Sequence, residues 1–182
     1  AVPFCLSNLE NSHNFGVFEI GMSKKGEINN LSKLVKPNLG IITNIAEAHI
    51  ENFKNIKEIA KAKGEIINNI DKGGSLILNR DDKFFSFLKN LAENRGVKVL
   101  SFGNSTKSDI RLIKVFNYKN YKNLKIRICD ESLLLKVRNI ETSNIYNILC
   151  CMAVLKILYL DFNKIKNFFN YPLSLKGRGK TH

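Results

Sequence analysis

The feature that most constrains the fold is an alternation, over the first hundred residues, of short apolar runs with stretches of helical periodicity. Short apolar runs bounded by turn signals predict buried strands, whereas apolar residues spaced three and four apart predict helices. The predicted strands cover residues 15–20, 40–43, 75–78 and 97–102. The predicted helices cover residues 26–35, 55–70 and 82–94. Strands that alternate with helices in this way are typical of an α/β fold with a mostly parallel sheet flanked by helices.

The second part of the chain has a different pattern. Three strand-like runs joined by short polar turns predict a small antiparallel β meander, and they cover residues 109–118, 123–129 and 133–138. A long apolar helix over residues 142–160 and a shorter one over residues 163–169 follow. We therefore expect one domain over residues 1–182, composed of a parallel α/β part (1–105), the meander (106–140) and C-terminal helices with a tail (141–182).

Composition excludes several classes of protein. The 182 residues are 44% hydrophobic and 25% charged, which is typical of one soluble globular domain. No apolar run approaches the roughly 20 residues of a transmembrane helix, and the first residues lack the charged and then apolar pattern of a secretory leader, so we expect neither membrane insertion nor secretion. The cysteines lack C-x-x-C spacing, so neither a zinc site nor a disulfide framework is indicated, and a reducing cytoplasm fits best. These cysteines are Cys5, Cys129, Cys150 and Cys151.

The formal net charge of +13 raises the hypothesis of a nucleic-acid or anionic-membrane partner. Residues 1–102 carry 14 basic and 11 acidic groups, whereas residues 103–182 carry 15 and 5, so the excess lies in the second part. The charge comes mainly from Lys, whereas readers of nucleic acid tend to favour Arg. In the densest stretch, residues 114–127, Lys alternates with apolar and polar residues. This alternation favours a solvated sheet face over a nucleic-acid surface.

Polar residues follow two of the predicted strands, at the sheet edge where α/β folds bind ligands. Glu19 lies within an apolar run, where an unpaired carboxylate would be costly, so it should meet a metal ion, Lys24 or water. After the second strand, His49 can offer an imidazole nitrogen to a metal, although a lone loop histidine is more often structural. In the same loop, Thr43 and Asn44 can hydrogen-bond phosphate or water.

Lys63 has an unusual position on the predicted helix 55–70. Asn55 is its expected N-cap, with Glu58 at the capping-box position. At 100° per residue, Lys63 falls at the centre of the apolar stripe. Its ammonium could reach water along its stem. Alternatively, desolvation could lower its pKa and favour a neutral amine that reacts with carbon dioxide or acts beside a bound ion.

Several short sequence blocks follow one another along the chain. E-I-G-M-S-K-K-G-E-I stands at residues 19–28, T-N-I and A-H-I-E lie within residues 43–51, and I-A-K-A-K-G-E stands at residues 59–65. Further blocks are L-N-R-D-D at residues 78–82, N-x-x-N at residues 144–147 and G-R at residues 177–178. In this order the blocks resemble those of the Mur ligases. The resemblance covers nearly the whole chain and favours the branch of the family that adds D-alanyl-D-alanine to UDP-MurNAc-tripeptide.

The resemblance implies a metal site. Glu19 and His49 would bind Mg2+ near the ATP phosphates. Lys63 would be the lysine that the family carbamylates, and its carbamate would help to hold a second Mg2+. These three residues would form the catalytic set.

The resemblance also implies a nucleotide site. Asn147, with Asn144, would contact the adenine, and Arg178 would contact the phosphate or ribose side. Asn79 and Asp81 would border the nucleotide pocket beside Thr43 and Asn44, the polar residues of the strand-end loop. The tail sequence G-K-T at residues 179–181 is not a P-loop, because Ser174 stands where the motif requires a glycine.

The implied activity is ATP-dependent amide formation through an acyl phosphate, in a monomeric, cytoplasmic bacterial enzyme that binds no nucleic acid and does not insert into a membrane. The family's phosphate loop should precede this sequence and its C-terminal domain should follow, so we expect a central-domain fragment that is inactive alone. The alternatives are another Mur-type ligase, a folylpolyglutamate synthase-like enzyme, or a basic nucleic-acid-binding module that uses the meander.

Overall fold

The computed structural model describes residues 2–47, 52–138 and 140–165, and the chain divides into two compact units, Ala1–Leu100 and Ser101–His182. The helices are α1 (Val2–Ser7), α2 (Glu27–Val35), α3 (Ile56–Gly64), α4 (Phe85–Glu93), α5 (Thr142–Ile157) and α6 (Phe162–Ile165), with a 3-10 helix at Glu65–Asn69. The strands are β1 (Leu39–Ile42), β2 (Ser75–Asn79), β3 (Lys98–Gly103), β4 (Ile110–Asn117), β5 (Tyr121–Ile128) and β6 (Glu131–Arg138).

The six strands form one mixed sheet in the order β1-β2-β3-β4-β5-β6. β1 pairs in parallel with β2, from Leu39 opposite Ser75 onward, and β3 pairs in parallel with β4. β4, β5 and β6 are antiparallel to one another. The predictions of a mostly parallel sheet flanked by helices and of an antiparallel meander are confirmed.

The core of the first unit forms around β2. Its three central residues, Leu76, Ile77 and Leu78, are at most 1% exposed. Leu76 and Leu78 belong to one apolar cluster with Ile59 of α3 and Leu88 of α4. Burial of each such side chain contributes about 1.5–3 kcal/mol to folding. The helices on either side of β2 in the sequence are therefore anchored at the strand whose end carries Asn79.

Helix α3 follows the predicted pattern at its start. Asn55 is the N-cap, and its side-chain oxygen accepts the backbone N–H of Glu58 at 3.1 Å. The Glu58 carboxylate binds Lys61 at 2.9 Å. Lys57 and Lys61 are exposed and Lys63 is half-buried, as the helical wheel predicts.

The predicted end of this helix at residue 70 is wrong, because the chain tightens into the 3-10 helix after Gly64. Side chains of the tighter segment bond to α2. Asn69 donates to the buried Ser32 hydroxyl at 2.9 Å, and Glu65 accepts N–H groups of the α2 start. These tertiary bonds accompany a turn geometry that local periodicity does not encode.

The predicted strand over residues 15–20 is also wrong, since those residues have no regular secondary structure. Phe15 is 61% exposed and Val17 is 93% exposed, so the run is not buried. An apolar run becomes a strand only where a neighbour supplies ladder hydrogen bonds. β1 is at one end of the strand order, with β2 as its neighbour.

In the second unit, β4–β6 bury one face of the meander. Leu112, Leu124, Ile126, Leu135 and Val137 are at most 8% exposed, and α5 packs against β4. The predicted long helix is confirmed, but it ends at Ile157 rather than residue 160, and Tyr159 has a left-handed φ of 54°. The predicted helix 163–169 corresponds to α6 up to Ile165, and the remainder lies outside the described residues.

None of the helices in the described part of the chain has the length and apolar character that crossing a membrane requires.

Candidate functional site

The loop that follows β1 is joined directly to Lys63. The Lys63 ammonium donates a hydrogen bond of 2.9 Å to the backbone carbonyl oxygen of Asn44. Thr43 and Asn44 are exposed, whereas Ile45 is only 7% exposed and packs in the core of the first unit. The structure therefore brings together Lys63 and the strand-end loop that the sequence predicts as candidate site residues.

Asp82, in the turn after β2, binds the backbone of the same loop. One of its carboxylate oxygens, Oδ2, accepts the backbone N–H of Ile45 at 2.7 Å, and the other, Oδ1, accepts the N–H of Phe84 at 2.8 Å. Hydrogen bonds to a charged acceptor are stronger than those between neutral groups. Asp82 thus fixes the position of the loop backbone whose carbonyl Lys63 binds.

The pKa of Lys63 is lowered, because burial of the side chain disfavours the charged ammonium. The negative charge of Asp82 opposes this shift by raising the pKa of Lys63, and it is the smaller of the two effects. The arrangement therefore favours a neutral amine more than water would. A neutral amine is nucleophilic, so Lys63 is suited to react with carbon dioxide.

Asn79 and Asp81 lie in the turn that contains Asp82. Asn79 is the last residue of β2, and its side-chain oxygen accepts the backbone N–H of Asp81 at 3.0 Å. The Arg80 guanidinium lies 4.6 Å from the ring centre of Phe85, at the start of α4. Asn79 and Asp81 are thus brought together, and the same turn supplies the carboxylate that binds the loop after β1.

The segment that leads into α2 is held by two carboxylates. Glu27 Oε2 accepts the backbone N–H groups of Ser23 and Lys24 at 2.6 and 3.2 Å, and these bonds lower the pKa of Glu27. Glu65 accepts the N–H of Gly26 with both oxygens and that of Asn29 at 3.2 Å. A carboxylate at a helix N-terminus satisfies amides that have no partner within the helix.

Gly26, with a φ of 89°, has the left-handed backbone that lets the chain enter α2. The block around Gly26 and Glu27 is therefore ordered by backbone bonds to acidic side chains. Glu19 precedes it in the irregular segment and is exposed.

Asn144 and Asn147 lie in the first two turns of α5, in the second unit. Asn144 is half-buried, and its backbone N–H donates to the carbonyl of Glu141 at 3.1 Å. Asn147 is exposed one turn later. At this spacing the two amides neighbour each other on the helix surface. The Phe102 ring contacts Tyr146 edge-on, with ring centres 6.5 Å apart.

His49 and Arg178, two candidates from the sequence, lie outside the described residues. Within the described ranges, no group of three or more His, Cys, Asp or Glu side chains could hold a metal ion. The donors near Lys63 are the carboxylate of Asp82, already used by two amides, and the side chains of Thr43 and Asn44 in the contacting loop. Oxygen donors of this kind suit Mg2+, and a carbamate on Lys63 would add two more.

Sequence reasoning missed two residues of this region, Asp82 and Glu65. Asp82 stood in the L-N-R-D-D block, but nothing local indicates that it binds the amide of Ile45, 37 positions earlier. Glu65 stood in the block with Lys63, and its bonds to Gly26 span 39 positions. Both act through tertiary contacts with backbone N–H groups.

Comparison with known proteins gives consistent matches. Residues 1–155 match the model of the Mur ligase middle domain. The UDP-N-acetylmuramoyl-tripeptide--D-alanyl-D-alanine ligase of Rickettsia prowazekii is 31% identical over 179 residues, which are 96% of this chain and 39% of that protein. The ligase of the same name from Buchnera aphidicola is 32% identical over 176 residues, which are 91% of this chain and 36% of that protein.

A crystal structure of MurF from Acinetobacter baumannii superimposes with a TM-score of 0.88 at 25% identity, covering 97% of this chain and 38% of that one. The chain thus spans under two fifths of the length of these relatives.

Proposed function

The chain belongs to the Mur ligase family, and from that premise we propose that the whole protein is an ATP-dependent ligase. Its reaction would join D-alanyl-D-alanine to UDP-MurNAc-tripeptide. The names of its relatives support this pair of substrates. The protein would act as a monomer in the bacterial cytoplasm. This chain would supply its central domain, with the three subregions that the sequence predicts.

The observation that carries the proposal is the environment of Lys63. Its side chain is half-buried, it contacts the loop after β1 through Asn44, and burial lowers its pKa. Lys57, on the same helix α3, is exposed by comparison. Carbamylation would replace the ammonium by an anionic group with two oxygens at this position. Lys63 would then become a ligand for Mg2+ beside the strand-end loop.

Mg2+ would reduce the repulsion between the substrate carboxylate and the ATP phosphates and stabilise charge on the transferred phosphoryl group. In this chain Glu19 and His49 would hold one Mg2+, and the carbamate of Lys63 would help to hold a second. Asp82 would keep the backbone of the adjoining loop in place. The carboxylate of the tripeptide would become an acyl phosphate, and the amine of the dipeptide would displace phosphate from it.

Amide, hydroxyl and charged side chains would bind the nucleotide. Asn144 and Asn147 would contact the adenine, since their side chains share one surface of α5. Asn79 and Asp81, at the end of β2, would border the nucleotide pocket, and Arg178 would contact the phosphate or ribose side. Thr43 and Asn44 are exposed and would donate to phosphate oxygens or their water.

The test uses the protein encoded by the gene that carries this sequence. We expect phosphate release from ATP only when UDP-MurNAc-tripeptide and D-alanyl-D-alanine are both present. Lys63→Ala should abolish release, and a small carboxylate such as formate should restore part of it by taking the place of the carbamate. Lys57→Ala, which removes an exposed lysine from the same helix, is the matched control and should retain activity.

Two results would contradict the proposal. Release with a single amino acid in place of the dipeptide would identify another Mur-type ligase or a folylpolyglutamate synthase-like enzyme. Equal activity of Lys63→Ala and the parent protein would show that Lys63 has no role in the reaction.

A further inference from the structure

The exposed face of the meander carries a dense set of cations. Strand register places their side chains on one face, because Arg111 is opposite Arg127, Lys114 is opposite Lys125, and both pairs continue into β6. We call this surface the basic face, and its cations are Arg111, Lys114, Lys125, Arg127, Lys136 and Arg138. Arg111 and Arg127 are half-buried and donate hydrogen bonds to backbone carbonyl oxygens within residues 104–108, whereas the other four cations are exposed. The other face carries the buried residues of β4–β6. The basic face is therefore the side of the meander that is open to solvent.

No acidic side chain of these strands balances the cations. β4 and β5 contain no Asp or Glu, and β6 contains only Glu131. Glu131 is opposite Ile128, whose side chain belongs to the buried face. Among the described residues, the ion pairs lie on α3 and α4 instead. The six cations thus share a surface on which β4–β6 place no carboxylate.

Two of the cross-strand pairs oppose like charges directly. Arg111 faces Arg127, and Lys114 faces Lys125, in neighbouring strands. Like charges at directly opposite positions destabilise a sheet. Hydrogen bonds to backbone carbonyl oxygens account for the positions of Arg111 and Arg127. Lys114 and Lys125 are exposed, so theirs is the repulsion that a partner could relieve. An anionic partner would turn the repulsion into attraction.

Two aromatic rings of this face already carry a lysine ammonium. The Lys114 ammonium lies 5.0 Å from the ring centre of Phe116, and that of Lys136 lies 4.2 Å from the ring centre of Tyr121. Tyr121 also stacks on Tyr118, with ring centres 4.5 Å apart, while Tyr118 itself is 47% exposed. Single-stranded nucleic acid binds to such sheets by stacking bases on free ring faces. The contacts of Phe116 and Tyr121 with lysines therefore disfavour base stacking on these two rings.

An exposed aliphatic side chain lies among the cations. Leu134 is 60% exposed and is opposite Lys125, in line with Lys114. A shallow groove of about 370 Å³ lies beside it and is lined in part by Phe116 and Lys125. Aliphatic and aromatic groups surrounded by Lys and Arg are the combination that binds at the interface of an anionic bilayer.

We propose that the basic face is a docking surface for an anionic phospholipid bilayer, on which the protein lies without crossing it. The four exposed cations, Lys114, Lys125, Lys136 and Arg138, would face lipid phosphates, and Leu134 would enter the headgroup layer. The attraction depends on charge over short distances, so it should decline steeply with added salt. This proposal is independent of the ligase reaction, since the basic face contains none of the residues assigned to ATP, metal or substrate.

The experiment is vesicle sedimentation with the protein encoded by this gene. We expect binding to vesicles of mixed phosphatidylglycerol and phosphatidylcholine, and no binding to vesicles of phosphatidylcholine alone. The variant Lys114→Gln with Lys125→Gln removes one opposed pair. Because each cation contributes about 1 kcal/mol near an anionic surface, binding should weaken about 30-fold.

The matched control is Lys33→Gln with Lys57→Gln, which removes the same charge from exposed positions of the first unit. It should leave vesicle binding within about threefold of the parent. A second pair on the basic face, Lys125→Gln with Lys136→Gln, repeats the test if the first variant does not fold. Phosphate release from the ligase substrates should be unchanged in every variant.

Three outcomes would overturn the proposal. One is that anionic vesicles do not bind the parent protein at low salt. Another is that the control variant loses as much binding as the basic-face variant. The third is that a single-stranded RNA oligonucleotide binds through these lysines more tightly than the vesicles do, which would make nucleic acid the partner.

Discussion

Replacing Asp82 by Asn should release the loop after β1 from its anchor. The carboxylate accepts the N–H of Ile45 at 2.7 Å with one oxygen and that of Phe84 at 2.8 Å with the other. An Asn side chain has one acceptor oxygen, so Asp82→Asn can keep only one of these bonds. The Ile45 side is buried, and a lost hydrogen bond to a charged acceptor costs about 1.5–3 kcal/mol.

The best measurement is native-state hydrogen exchange at the amide of Ile45. A loss of about 2 kcal/mol corresponds to exchange about 30-fold faster, if the loop opens locally. The variant should also lower the pKa of Lys63 further, because the charge of Asp82 raises it. Glu93→Gln is the control, since it removes an exposed ion pair with Lys89 and should leave the Ile45 amide unchanged. Exchange within about threefold of the parent in Asp82→Asn would refute the reasoning.

Three further predictions concern α3 and its surroundings. With ¹³C-enriched bicarbonate, the parent protein should show a carbamate resonance by NMR that Lys63→Arg lacks; an identical spectrum in both would exclude carbamylation. Without bicarbonate, folding lowers the pKa of Lys63 from its ordinary value of about 10.5. Between the pKa of the folded state and this ordinary value, the unfolded state therefore binds more protons than the folded state does. The free energy of unfolding should therefore rise with pH toward that value, and Lys63→Met should flatten the rise; a fall with pH traced to this residue would contradict the sign. Asn55→Ala should cost about 1 kcal/mol in urea unfolding by removing the cap of α3, whereas Asn68→Ala, at an exposed position, should cost under about 0.5 kcal/mol.

Much of the fold could be predicted because its signals are local. The cap at Asn55 depends on the three residues that follow, and the position of Lys63 on the inner face follows from helical periodicity. The meander could be predicted for the same reason, since the alternation of apolar and polar residues and the short turns depend on neighbouring residues. The errors arise where distant partners decide. Residues 15–20 have the apolar pattern of a strand, but the pattern does not specify a ladder partner.

The candidate site could also be predicted only in part. Lys63 and the loop at Thr43 and Asn44 were identified and do lie together. Asp82 was not, because its role is to accept an amide from a loop far away in the sequence. Such a contact follows from how the ends of β1 and β2 lie side by side, and only the register of the two strands reveals it.

The two kinds of strand pairing also set different rates of assembly. In the meander, Ile128 pairs with Glu131 and Tyr118 binds Tyr121, so each turn brings together residues close in sequence. Hairpins of this kind form within about 1–10 μs. The pairing of Leu39 with Ser75 must first close the long segment that contains α3. The chain loses the entropy of closing that segment before any hydrogen bond between β1 and β2 compensates for the loss. Of these six strands, β1 and β2 leave the ribosome before β4, β5 and β6. The strands of the meander can nevertheless pair sooner.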